Sequence, residues 1–214
     1  MTSNDWDGKT QALRLVAVVT DVGGPVALHD IFSELPGDFG APIVVMQPTN
    51  DIPLESAAAA LRHTIKLKIA QMRHGGKLHA GAVYFAESAK SYRPIENSDE
   101  IRIEINRGEE GDYGLISTLA EFAAILGRAL TVVFLSGRSS EEEIERLCSI
   151  LESNGCPILV LSRSESVVDE LGACVLNAAA TASELSSMQI GEFLRARVVQ
   201  SLPERKSKIR AAKR

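Results

Sequence analysis

Five of the six residues from Leu15 to Thr20 are apolar and three of them are valine. An unbroken run rich in β-branched residues suits a strand covered on both faces. Asp21-Val22-Gly23-Gly24-Pro25 follows directly. Two glycines permit a tight turn that other residues resist, and proline fits the first turn of a helix, where its missing N–H costs nothing. The pattern predicts a buried strand over Leu13–Val19, a glycine turn, and a helix over Pro25–Leu35. Along that helix Val26, Leu28, Ile31, Phe32 and Leu35 recur near helical spacing. Residue 21 then falls at the carboxyl end of a strand, beside a helix N-terminus, where open α/β sheets place ligands and chemistry.

The same alternation continues. Ile43–Met46 reads as a second buried strand, closed by Gln47-Pro48-Thr49, and Leu54–Leu61 as a helix of strong helix formers. The character changes between Lys66 and Arg107. Lys66–Met72 alternates as a half-exposed strand does, His74–Lys77 reads as a turn, and Ala82–Ala86 as another strand. Glu87–Asp99 is polar and turn-rich. Glu100–Ile105 alternates strictly, which predicts an antiparallel edge strand with one wet face. The α/β rhythm then resumes. A helix is expected over Leu115–Leu126, stopped by Gly127, then a buried strand over Leu130–Leu135. Ser140 precedes Glu141, Glu142 and Glu143 at capping-box spacing and opens a helix to Ser153. Ile158–Leu161 is the next buried strand. A short helix over Ser164–Leu171 leads to Cys174-Val175-Leu176, and a last helix spans Ala182–Val199. Strands alternating with helices predict a doubly wound, mostly parallel α/β sheet with helices on both faces and an antiparallel hairpin insert.

Composition narrows the picture. The chain has 214 residues, enough for one sizeable α/β domain. We expect that domain over residues 13–202, with a disordered lead-in before it and a basic tail over 203–214. A net charge of −5 supplies no field that would favour nucleic acid. No apolar run reaches the length of a membrane span, and the polar N-terminus lacks a hydrophobic signal core, so a cytoplasmic location is expected. Cys148, Cys156 and Cys174 form no CxxC pair and read as small buried hydrophobes. Gly23-Gly24 opens neither a G-x-G-x-x-G nor a P-loop pattern. No cofactor and no metal are expected.

The order of these pieces resembles the catalytic domain of the chemotaxis protein-glutamate methylesterase (CheB-type) family. That family opens with a strand, a Ser-x-Gly-Gly turn and a helix, and Asp21-Val22-Gly23-Gly24-Pro25 fits the frame. Leu35-Pro36 matches its Leu-Pro motif, and Gln47-Pro48 stands where it carries Gln-His. Ala80–Glu87 is similar to its Pro-Gly-x-x-Tyr-x-Ala-Pro segment. Leu135–Glu142 is similar to its Leu-Thr-Gly-Met-Gly-x-Asp-Gly segment. The resemblance covers most of residues 13–185 and implies a methylesterase-like fold that acts on chemoreceptors.

The family's chemistry needs a serine nucleophile, a histidine base and an aspartate that orients the base. The resemblance puts those three roles at Asp21, Pro48 and Glu141, so only a carboxylate survives. Arg138 replaces the family's loop methionine; Gly23, Gly24, Gln47 and Arg138 complete the candidate binding residues. His29, His63, His74 and His79 are not placed by sequence beside residue 21. For Asp21 itself the alternatives are a helix N-cap, a remnant pocket for a cationic or polar ligand, and a carboxylate nucleophile. The lead expectation is a pseudoenzyme that binds a chemoreceptor helical bundle or a signalling protein. The alternatives are an active ester hydrolase with a rearranged site, and a structural partner whose pocket has closed. Members often carry a receiver domain ahead of the esterase; with the first strand near residue 13, no covalently attached receiver is expected.

Overall fold

The computed structural model describes residues 13–47, 54–87, 90–97, 100–107 and 114–199. The opening valine-rich run forms β1, Leu15–Val19, and lies at the centre of the molecule with every residue buried. It is flanked by β2, Ile43–Met46, and by β8, Leu130–Phe134, both parallel to it. The sheet grows outward on one side through β5, Ala82–Phe85, to β3, Lys68–Ala70, and on the other through β9, Ile158–Leu161, to β10, Ser183–Leu185. All its described pairings are parallel, giving a seven-stranded sheet in the order β10-β9-β8-β1-β2-β5-β3.

Because strand side chains alternate in direction, β1 contributes to two cores. Val16 and Val18 join Leu28, Ile31 and Phe32 of α1, Gly24–Ser33, and Ile190 and Leu194 of α6, Ser187–Val199. Leu15, Ala17 and Val19 join Leu119 and Phe122 of α3, Gly114–Leu126, Leu147 and Leu151 of α4, Glu141–Ser153, and Leu171 and Val175 of α5, Glu170–Ala178. The remaining helix, α2, is Leu54–Leu61. The two-sided burial of β1 is thus the physical origin of its near-continuous apolar run.

A second, three-stranded antiparallel sheet forms the insert, in the order β4-β7-β6: β4 is Gly76–Lys77, β6 Lys90–Asn97 and β7 Glu100–Arg107. Four expectations are corrected here. Glu100–Ile105 is the central strand of the insert, because β4 and β6 pair on either side of it. The polar stretch before it contains β6; Tyr92 and Pro94 there lie opposite Ile105 and Ile103, and this non-local pairing supplies what local propensity lacks. No helix spans Ser164–Leu171; that segment is turns, and α5 begins only at Glu170. Residues Ser183–Leu185 form a strand before α6, because pairing with Leu159–Leu161 satisfies their backbone.

Candidate functional site at the carboxyl rim

β1 delivers Thr20 and Asp21 to the carboxyl rim, both buried. The ladder between β1 and β8 runs on into this region. Leu135 N–H donates to the Val19 carbonyl at 2.9 Å, and Asp21 N–H donates to the Ser136 carbonyl at 2.8 Å. The chain then turns sharply, with Gly24 N–H donating back to the Asp21 carbonyl at 2.9 Å. Gly23 sits at φ 84°, ψ −7°, the left-handed conformation required at the third residue of a type II turn.

This geometry corrects the N-cap reading of Asp21. The cap position of α1 is Gly23, which has no side chain to cap with. A side-chain cap serves the amides two and three residues further on, and from Asp21 those are the turn residue Gly23 and the first helical residue Gly24. The capping box expected at Ser140 is likewise not formed. Ser140 occupies the cap position of α4 in extended conformation but makes no side-chain cap bond. The acidic first turn, Glu141 to Glu143, is present as expected and suits the positive end of the helix dipole.

The turn is closed over by a segment that sequence reasoning did not single out. The Ser136 hydroxyl donates to the Val22 carbonyl at 2.6 Å and accepts from Val168 N–H at 2.9 Å. Gly137 N–H donates to the Val168 carbonyl, and Leu171 N–H donates to the Gly137 carbonyl, each at 2.9 Å. One buried hydroxyl therefore ties the β1 turn, the end of β8 and the β9–α5 connection together. The packing is equally close. A methyl group placed on Gly23 would lie 2.6 Å from Val167 Cβ and 2.8 Å from Ser136 Oγ, and one on Gly137 would lie 2.7 Å from Asp21 Cβ. Gly24 packs in the same way against the Thr20 side chain.

The other expected positions separate into two groups. Gln47 is buried at the end of β2, next to the end of β1. Gln47 borders a crevice of about 10 Å³ with Glu87, Tyr92 and Thr118, at the threshold for a single water molecule. Arg138 and Glu141 are exposed in the β8–α4 connection and at the start of α4. Pro48 lies outside the described residues. The four histidines lie elsewhere. His29 is in the second turn of α1 beside Asp30, and His63 follows α2. His74 accepts from Ile105 N–H in the insert. His79 precedes β5. Among the described residues no three His, Cys, Asp or Glu side chains gather to hold a metal ion.

Nothing local marked Ser136 or Val167–Val168. Ser136 meets its partners 114 and 32 residues away in sequence, so its role follows from strand order. The one available signal was its membership of the Leu135–Glu142 segment.

Parallel sheet, two helical layers, antiparallel insert and glycine turn at the carboxyl rim define a doubly wound α/β domain with its candidate site at the end of the central strand. A family model described as CheB methylesterase matches residues 16–194, and the chain belongs to that family. It is 28% identical over 189 residues to the protein-glutamate methylesterase/protein-glutamine glutaminase of Alkalilimnicola ehrlichii, covering 86% of this chain and 47% of the relative. A relative of the same name from Methanospirillum hungatei is 28% identical over 197 residues, 92% of this chain and 54% of the other. The chain spans about half the length of these relatives. The crystal structure of the Thermotoga maritima CheB methylesterase catalytic domain superposes with a TM-score of 0.75 at 21% identity, over 87% of this chain and 99% of that one, and shows the same fold.

Proposed function

We propose that this domain has given up ester hydrolysis and acts by binding, as a regulatory partner in chemotaxis-type signalling. The observation that carries the reading is the closed rim. Where a hydrolase of this fold needs an accessible nucleophile and an imidazole, Asp21 is buried, Val167 covers Gly23, and Ser136 is committed to backbone partners on both sides. Removing members of a nucleophile–base–carboxylate unit costs orders of magnitude in rate.

Binding is supported by what surrounds the closure. Val26, Val167 and Met188 are exposed at 65%, 67% and 57%. Val167 packs on Gly23, three residues before Val26, and Met188 follows Ser187, whose N–H donates to Glu165. Exposed apolar side chains near the β1 turn suit a protein partner. The relatives are named for action on protein glutamate and glutamine side chains, and a chemoreceptor helical bundle is the partner we infer from them.

The test is methyl-ester hydrolysis on methylated receptor fragments, with Asp21→Asn as control. Release of methanol no faster than in buffer, together with saturable binding of the same fragments, is the expected result. Turnover above buffer that disappears in Asp21→Asn would overturn the reading.

A further inference from the structure

Where the main sheet ends at β10, a cleft of about 220 Å³ is lined by β9, α5, the connection between them and β10 itself. It is smaller than the roughly 300–1,000 Å³ of drug-sized sites and suits a compact metabolite. Its walls come wholly from residues 160–184. Val160 of β9 and Ala173 and Leu176 of α5 supply the apolar part. Leu176 is a large apolar side chain left 37% exposed here. The charged part consists of Arg163, Asp169 and Glu184, and they are linked to one another. Arg163 N–H donates to Glu184 Oε1 at 2.9 Å, and the Arg163 guanidinium pairs with Asp169. Charge therefore alternates negative, positive, negative across three neighbouring groups, beside an apolar surface.

We propose that this cleft binds a free α-amino acid with a small apolar side chain, its carboxylate on Arg163, its ammonium on Glu184 and its side chain over Leu176 and Val160. A simple anion would meet two carboxylates, and a simple cation would meet the guanidinium. A zwitterion sets each of its charges against an opposite one. The guanidinium carries five N–H donors in a planar fork, so Asp169 and a ligand carboxylate can share it. The ammonium has three donors and no acceptor, which fits the carboxylate side of the cleft. Covering Leu176 removes exposed apolar surface from water and favours an apolar side chain over a polar one. Asp21 is not part of this lining, so the site is independent of the reading of the carboxyl rim.

L-Valine, N-acetyl-L-valine and L-valinamide serve as probes, titrated into nitrogen-15-labelled full chain and followed by amide shifts. The second lacks the ammonium and the third lacks the carboxylate. Saturable shifts confined to Val160–Arg163, Asp169–Asn177 and Glu184 are expected with valine at millimolar concentration. Blocking either end should weaken binding roughly tenfold. Glu184→Gln keeps an amide carbonyl to accept from Arg163 N–H, so β10 stays paired while valine affinity falls by a similar factor. Arg163→Gln provides a second variant on the carboxylate side. The Arg163 side chain is 82% exposed, and an ion pair at such a position contributes little to stability, so folding is retained there as well. Shifts that fail to saturate at millimolar valine, that map instead to Asp21–Gly24, or that keep the same affinity in either variant would overturn the proposal. Binding of either blocked probe as tight as that of valine would do so as well.

Discussion

At the scale of single residues, Ser136 and Gly23 decide the character of the carboxyl rim. Ser136→Ala removes the acceptor of Val168 N–H and the donor to the Val22 carbonyl. Leaving a buried amide without its partner costs about 1–3 kcal/mol, which urea unfolding of the variant should read directly. Gly23→Ala meets both a positive φ and Val167 Cβ at 2.6 Å. Destabilisation beyond about 1 kcal/mol is expected there, and a neutral result would mean that the turn is not held as described. Asp21→Ser restores a hydroxyl but no base; an assay on methyl esters should find it as inactive as the parent. None of this depends on Asp21 acting as a helix cap, a role the turn geometry gives to Gly23.

Among the elements, the insert shows most clearly where pattern reading stops. The strict alternation of β7 made it legible as a strand with one buried face, and Ile101 and Ile103 are buried. Its central position was not legible, because β4 is only two residues long and β6 carries a proline opposite Ile103. Ile103 is fully buried, so Ile103→Ala should cost about 2–5 kcal/mol. If the insert is one cooperative unit, hydrogen exchange should speed up in β4 and β6 together while β1 and β8 remain protected. The α5 region failed for a related reason. Its turns are stabilised by bonds to Ser136 and Gly137, not by a local signal.

For the whole molecule, burial of ionisable side chains sets the alkaline limit of stability. Burial pushes the Cys148 and Cys156 thiols from 9.0 up to about 11 and the Tyr92 phenol from 10.0 up to about 12. The folded state therefore holds these protons where the unfolded chain has released them. Their contribution is intact below the unfolded values and is lost as pH rises from about 9 towards 12. Urea midpoints should be flat near neutral pH and fall progressively above pH ~9. The fall should be shallower in Cys156→Val, and an unchanged slope in that variant would separate alkaline unfolding from this thiol. The closed rim also predicts that Val167→Asp, at a 67% exposed position, abolishes receptor-fragment binding while leaving the unfolding free energy from urea titration within about 0.5 kcal/mol of the parent.

The amino-acid sequence alone determined the central buried strand, the glycine turn after it, most of the helices, and the placement of Asp21 at the carboxyl rim. These follow from side-chain periodicity and from the backbone freedom of glycine and proline, which act within a few residues. Strand order, the pairing of β6 with β7 and the closure of the rim by Ser136 and Val168 were decided only in the tertiary structure. Each joins segments distant along the chain, and a hydrogen bond between such segments is specified by what the folded sheet brings together, leaving no periodic trace in either segment.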